Sequence, residues 1–326
     1  MIRRWIKEGL KKISATAFKK ELNSLDSIAS AYQQLQEKNK PGWINTANTC
    51  AGIVFSKDRA MQLHALLASY FSYVKNPVPL YILYTSSNER HSKSYDELKS
   101  LFEIKEIVFI KESAFKPDLE KLLTTINTDN LFFMTDDGLF IDSFDMNEVT
   151  AFNPIHIIPS LIKGLDLTYC YIQDRKQNLP SFITVPESDM PTSMKCWEWS
   201  KAESFSDWAY PLSLDVTFYD KKEIQALIKN TSYKGPNSLE TALHNHYSPI
   251  FLQRKGVCFE KAKYVNIVCN VVNTEHKNRN TGLHSIEELL KKWEEGYRIR
   301  YEDFFGKNCT DVEQSSFNFI KRQAVI

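Results

Sequence analysis

With 326 residues, 43 % of them apolar and 13 % aromatic, the chain has ample core for one large α/β domain or two smaller ones. A net charge of +1 argues against a dedicated nucleic-acid binder, which would carry a basic surplus. Six scattered cysteines (Cys50, Cys170, Cys196, Cys258, Cys269, Cys309) show neither a CxxC nor a zinc spacing, which predicts reduced thiols and a cytoplasmic setting.

The N-terminus has no signal-peptide h-region, and no stretch approaches the roughly 20 apolar residues needed to span a bilayer. Residues 2–22 read instead as an amphipathic helix, with Ile2, Trp5, Ile6, Leu10 and Ile13 at helical spacing. Seven Lys/Arg stand against two Glu within residues 1–22, a net +5 that leaves −4 for the rest. Such a helix suits peripheral contact with an anionic membrane at the inner face of the plasma membrane, or packing on its own domain or a partner. A polar connector ending at Pro41-Gly42 separates this segment, residues 1–44, from a domain over 45–326.

That domain opens with a short buried strand over 51–55, stopped by Ser56-Lys57-Asp58-Arg59 and followed by helical spacing over 60–73. Strands over 80–84, 106–110 and 131–134 alternate with helices over 95–102 and 116–126. Repeated βα units of this length predict an α/β fold with a mostly parallel sheet and right-handed crossovers. Beyond residue 150 the pattern weakens: a strand over 167–173, a helix over 221–229 and a strand over 264–272. A last helix over 285–293 is opened by the capping box Ser285 and Glu288.

The fourth strand runs straight into Asp136-Asp137-Gly138. Carboxylates at the C-terminal end of a buried parallel strand sit where open α/β sheets bind ligands. Two side by side repel unless they share a cation, and hard oxygen ligands suit Mg²⁺ or Mn²⁺ with substrate phosphates completing the shell. A solvated acidic turn is the plainer account of an isolated Asp-Asp-Gly. None of the ten glycines forms GxGxxG or GxxxxGK[ST], so a phosphate ligand would need neutralisation by something other than a glycine-rich backbone.

A first strand ending in Phe55-Ser56-Lys57-Asp58-Arg59, three further βα units and Thr135-Asp136-Asp137-Gly138 together resemble a GT-A-fold (Rossmann-like) glycosyltransferase. The runs 207–215, 235–240 and 264–270 are similar to bacterial glycosyltransferases of surface-polysaccharide clusters. The resemblance covers about residues 45–300. It implies a nucleotide-sugar half over 45–150 and an acceptor half over 151–326. It implies Asp137 as ligand of Mn²⁺ or Mg²⁺, Asp136 as its partner or ribose contact, and Ser56, Asp58 and Arg59 on the nucleotide. Two departures stand out: Thr135 replaces the first acid of the DxD pattern, and Val216 stands where glycine is expected after Asp215.

Asp215, then Asp207, are the carboxylates placed to act as general base on an acceptor hydroxyl, each equally able to fix a loop. Trp208 and Tyr210 suit sugar stacking or core packing. His244 and His246, two apart, diverge on a helix and make a poor metal pair. His276, in a polar loop, corresponds to a late metal-binding histidine of many such enzymes. The expected partners are therefore a nucleotide-sugar donor and a glycan or lipid-linked glycan acceptor. A nucleotidyl or phosphoryl transferase and a non-catalytic membrane-associated scaffold are the competing readings.

Overall fold

The computed structural model describes residues 44, 48–103, 105–185, 193–270 and 284–322. The expected basic helix over 2–22, nearly all of its connector and His276 lie outside the described residues.

Four βα-derived strands form the centre: β1 (Cys50–Lys57), β2 (Leu80–Thr85), β3 (Ile107–Lys111) and β4 (Asn130–Thr135). Between them run α1 (Ala60–Tyr73), α2 (Glu89–Leu101) and α3 (Phe115–Thr125). β1 pairs in parallel with both β2 and β4, which is why its first seven residues are buried and read as a continuous apolar run rather than an alternating one. Chain order in the sheet runs β3-β2-β1-β4 and then turns over to an antiparallel edge strand, Phe218–Asp220. The order therefore reverses between β1 and β4, and at such a switch point the carboxyl ends of the strands leave a crevice for a ligand. Phe55 is opposite Thr135 in that pair, so Ser56–Arg59 and Asp136–Asp137 leave the sheet side by side.

The helices keep the expected order. α2 begins six residues earlier than the apolar pattern predicted, because Asn88 caps it, accepting from His91 N at 3.0 Å, and its first six residues carry no apolar period. The strand expected over 167–173 shrinks to Tyr169–Cys170, paired with Arg175–Lys176 across a turn in which Asp174 has φ +51°.

After β4 the chain forms β5 (Gly138–Phe140), then β6 (Ile157–Pro159), β7 (Phe182–Ile183) and β8 (Met194–Glu198). The edge strand Phe218–Asp220 is β9. Asp220 then caps α4 (Lys221–Lys229), the helix expected there. Next come α5 (Pro236–Phe251), β10 (Lys255–Phe259) and β11 (Tyr264–Ile267). α6 (Ile286–Glu294) carries both bonds of the Ser285/Glu288 capping box, and β12 is Glu313–Gln314. β7, β8, β10 and β6 make a second sheet that the sequence pattern did not announce. A third sheet, β12-β11-β5, places Asn266 and Glu313 beside the acidic turn.

Gly138 is required by this last pairing. A Cβ there would lie 1.6 Å from the Tyr264 hydroxyl and 2.1 Å from its ring. The Tyr264 ring is fully buried and held opposite Phe140, so it has nowhere to retreat. Gly138→Ala is expected to cost at least about 1–3 kcal/mol through overpacking, read as a lowered denaturant midpoint with unchanged slope. A midpoint equal to that of the wild type would mean that Tyr264 repacks freely.

Candidate functional site

Arg59 is the N-terminal cap residue of α1 and is 6 % exposed. Its Nη1 donates to Asp136 Oδ1 at 2.9 Å and to Asp137 Oδ2 at 2.8 Å, and its Nη2 donates to the carbonyl of Asn270. The cation that the paired aspartates demand is thus supplied by the chain itself. The aspartates in turn hold the guanidinium protonated against the cost of its burial.

Asp136 is fully engaged. Its Oδ2 accepts from the Ser56 hydroxyl at 2.9 Å and from Lys57 N at 3.1 Å, and its own N–H donates to Phe55 O. Burial pushes its pKa up to about 6, with Arg59 opposing and Asp137 adding to the rise. Asp137 is more open, its side chain 26 % exposed, and among the described residues Arg59 is the one donor to its carboxylate.

Ser56 also contacts the Tyr95 hydroxyl at 2.5 Å, and that hydroxyl accepts from Arg59 N. Asp58 adopts φ +57° and turns its carboxylate to accept from Ser87 N at 2.7 Å, tying the β1 turn to the β2 turn. Ser56, Asp58, Arg59, Asp136 and Asp137 therefore come together: Ser56, Arg59 and the two aspartates are joined by hydrogen bonds, and Asp58 binds the β2 turn.

Asp215 joins them from the other half of the chain. Thr135 Oγ1 donates to its Oδ1 at 3.4 Å, and Asn266 Nδ2 and Ser213 Oγ donate to its Oδ2 at 3.1 and 3.5 Å. Burial, then repulsion from Asp137, pushes its pKa up to about 6. Val216 follows at φ +44°, a left-handed conformation that favours glycine and costs a β-branched residue about 1–2 kcal/mol. The expectation of glycine at this position thus has a backbone cause. Val216 is fully buried, and its N–H donates to Phe133 O at 2.9 Å, which holds the turn against that strain.

Asp207 is placed differently. Its Oδ2 accepts from Gln177 Nε2 and its N–H donates to Gln177 Oε1, both at 2.9 Å, a reciprocal pair that fixes a loop. Trp208 is fully buried and donates to Leu167 O at 3.0 Å, so it serves the core. Tyr210 stacks on His244, ring centres 4.3 Å apart.

Sequence reading assigned no role to Asn266, Glu313, Lys163 or Glu240. Asn266 and Glu240 lay in runs already noted, without a function. Glu313 sits on a two-residue strand that no pattern marks. Its carboxyl is pushed well above the usual range by burial and by repulsion from Asp137 and Asp215.

The donor set fits a divalent cation of the Mg²⁺ or Mn²⁺ kind. Asp137 keeps carboxylate surface beyond Arg59, the carboxyls of Asp215 and Glu313 stand near enough to interact with it, and the buried Asn266 Oδ1 lacks a partner among the described residues. Among the described residues no three His, Cys, Asp or Glu side chains are arranged to hold a metal ion. Substrate oxygens and water would therefore have to complete any coordination shell. Among the described residues no helix is long and apolar enough to cross a membrane.

No protein-family model matches the chain. Over 189 residues, 54 % of the chain, it is 28 % identical to the bifunctional glycosyltransferase pgtA of Dictyostelium discoideum, and the match spans 24 % of that protein. Among solved structures it is similar to the mannosyltransferase PcManGT of Pyrobaculum calidifontis in complex with GDP-Man and Mn²⁺. That likeness has 11 % identity and a TM-score of 0.31, covering 48 % of this chain and 52 % of the other. It is also similar to GalNAc-T7 with UDP, GalNAc and Mn²⁺, at 10 % identity and a TM-score of 0.43, covering 76 % and 47 %.

Asp136 and Asp215 are raised to about 6 and Glu240 to about 8, so the folded chain keeps protons that the unfolded chain has released. Their contribution to stability is full below about pH 4 and is lost as pH rises through 6 and then 8, each unit being worth about 1.4 kcal/mol. The ligand-free protein is expected to melt higher at about pH 5 than at about pH 8.5. Asp215→Asn should raise the alkaline melting temperature and flatten the dependence. Thermal melts of both proteins across this range decide it, and a steeper dependence in the variant would refute the assignment.

Proposed function

We propose that the chain is a GT-A-type glycosyltransferase that moves a sugar from a nucleotide diphosphate sugar to a hydroxyl of a glycan or lipid-linked glycan acceptor. The observation that carries this reading is the meeting of Asp137, Arg59 and Asp215 at the switch point of a parallel sheet. The partial likeness to a glycosyltransferase supports it. Residues 45–150 form the donor half and 151–326 the acceptor half. The setting is bacterial surface-polysaccharide synthesis at the cytoplasmic face of the membrane, with residues 1–22 in contact with anionic lipid.

Bound Mn²⁺ or Mg²⁺ would supply Lewis-acid stabilisation of the diphosphate leaving group. Asp137 would hold that ion, with His276 as a further ligand by resemblance. Arg59 fixes the Asp137 carboxylate, and Asp136 fixes Arg59 and the Ser56–Lys57 turn. Asp215, ionised above about pH 6, takes the proton of the acceptor hydroxyl as its oxygen bonds to the anomeric carbon. The bond from that carbon to the diphosphate oxygen breaks, and its electron pair leaves on the phosphate.

Wild-type protein is expected to gain thermal stability from a UDP- or GDP-sugar of a tested panel in the presence of Mn²⁺, by about 2.7 kcal/mol at a hundredfold excess over Kd. Asp137→Asn should fold normally, since one member of a repelling pair becomes neutral, yet lose both the metal-dependent gain and turnover. Asp136→Asn should raise donor KM more than it weakens metal dependence. Wild-type metal dependence and rate in Asp137→Asn would sink this reading. Deleting residues 1–22 is expected to lower binding to anionic vesicles and to spare donor binding, and equal vesicle binding would remove the membrane role.

A further inference from the structure

The register of the parallel sheet lines up the side chains that close its carboxyl end. Phe55 is level with Leu83 and with Thr135, Lys57 with Thr85, and Tyr84 with Lys111. Glu112 extends this ladder by one residue: its N–H donates to Tyr84 O at 2.7 Å, so it stands beside Thr85. Alternation along the strands then sorts the two faces. Ser56 and Tyr84 turn toward α2, where both meet Tyr95. Phe55 turns the other way and packs on Phe115 of α3, and Thr135, level with it, binds Asp215. Lys57, Thr85 and Glu112 share that second face with Thr135.

Glu112, Thr85 and Lys57 thus form a row of carboxylate, hydroxyl and ammonium across the ends of β3, β2 and β1, with the Asp136–Asp137 turn of β4 next in line. Among the described residues none of these three side chains has a hydrogen-bond or ion-pair partner, and each reaches solvent. The Glu112 backbone is nevertheless fixed. The N–H groups of Ser113 and Ala114, which follow it, both donate to Asp118 Oδ2, at 2.6 and 2.8 Å. Partial burial pushes the Glu112 carboxyl up, Asp118 adds to the rise, and the Lys57 ammonium opposes it from within the row.

From Asp137 to Glu112 the row crosses three strand spacings, about 14 Å at about 4.8 Å each. A nucleoside diphosphate lying across these strand ends, its terminal phosphate at Asp137, covers a similar distance. It also presents its groups in the complementary order, with phosphates at Lys57, ribose hydroxyls at Thr85 and a base edge at Glu112. The acid at the far end decides which base. A carboxylate can only accept, through two oxygens side by side. Guanine sets its N1–H and its 2-amino group next to each other on one edge and satisfies both oxygens. Uracil has a single N–H between two carbonyls. Adenine and cytosine each set an amino group beside a ring-nitrogen lone pair. Each of these three bases therefore turns an acceptor toward the carboxylate. A purine also carries its edge farther from the ribose than a pyrimidine does, toward the last strand of the row.

We propose that Glu112 selects the nucleobase of the donor, and that the donor is a guanosine diphosphate sugar. This rests on the reading of Asp137 as the diphosphate end of the site. Glu112 accepts from guanine N1–H and from its 2-amino group, the Thr85 hydroxyl meets the ribose, and the Lys57 ammonium faces the phosphates. The base lies remote from the reacting carbon, so Glu112 acts on donor affinity and on the choice among donors.

The test is calorimetric titration of the full chain, in the presence of Mn²⁺, with GDP, IDP, UDP and ADP. Inosine diphosphate is GDP without the 2-amino group, so it removes one of the two bonds to Glu112. Wild type should bind GDP at least roughly tenfold more tightly than each of the other three. Glu112→Gln turns one accepting oxygen into an amide that faces the guanine donors. It should weaken GDP by about tenfold to a hundredfold and abolish the preference for GDP over IDP. A purely structural glutamate would weaken all four together and keep that ratio, which would overturn the role of Glu112. UDP or ADP bound as tightly as GDP overturns the choice of guanine. Asp137→Asn separates this inference from the reading beneath it. If that variant loses the Mn²⁺ dependence of nucleotide binding while wild type shows no preference for GDP, the base assignment fails and the donor site stands. If wild type binds none of the four, both fail.

Discussion

The Arg59 guanidinium is the interaction on which the crevice depends. It binds the two aspartates that end β4 and a backbone carbonyl 211 residues further along the chain, so three segments meet on one buried cation. A buried ion pair of this kind contributes little net stability, because desolvation offsets the attraction. Losing one partner, by contrast, leaves an uncompensated charge in the interior. What the cluster provides is geometry: Asp136 is satisfied on both oxygens, and Asp137 is held with an accessible edge turned toward the crevice.

Around that fixed pair the crevice gathers more carboxyls than its two buried cations, Arg59 and Lys163, can balance in ionised form. Asp215, Glu240 and Glu313 are each raised above the usual carboxylate range, chiefly by burial and then by one another or by Asp137. Such an arrangement keeps protons on these carboxyls in the empty site and favours a ligand that brings positive charge. The same tension appears in the backbone, where Asp58 and Val216 both take left-handed conformations to aim their segments. Strain concentrated at two turns of one site is typical of places where geometry is held for chemistry rather than for stability.

How much of this was legible in the chain depends on the range of the forces involved. The four βα units, the acidic turn after β4 and the caps at Asn88, Asp220 and Ser285 rest on residues within a few positions of one another. The second sheet escaped notice because β6, β7, β8 and β10 are short, and their pairing joins residues up to about a hundred positions apart. α5 was also hidden, since a helix with Pro249 inside it and few buried positions carries a weak apolar stripe.

By itself, then, the sequence determined an α/β chain with a parallel core and a pair of aspartates leaving the fourth strand. Periodicity, capping and steric preference act locally, and local residues suffice to state them. Only the tertiary structure decided that Arg59 would be the counter-ion of those aspartates, that Tyr264 would demand glycine at 138, and that Asn266, Glu313 and Glu240 would gather around Asp215. Those facts depend on burial and on contacts between distant segments. A carboxylate in the sequence carries no mark of the dielectric it will occupy or of the charge that will face it.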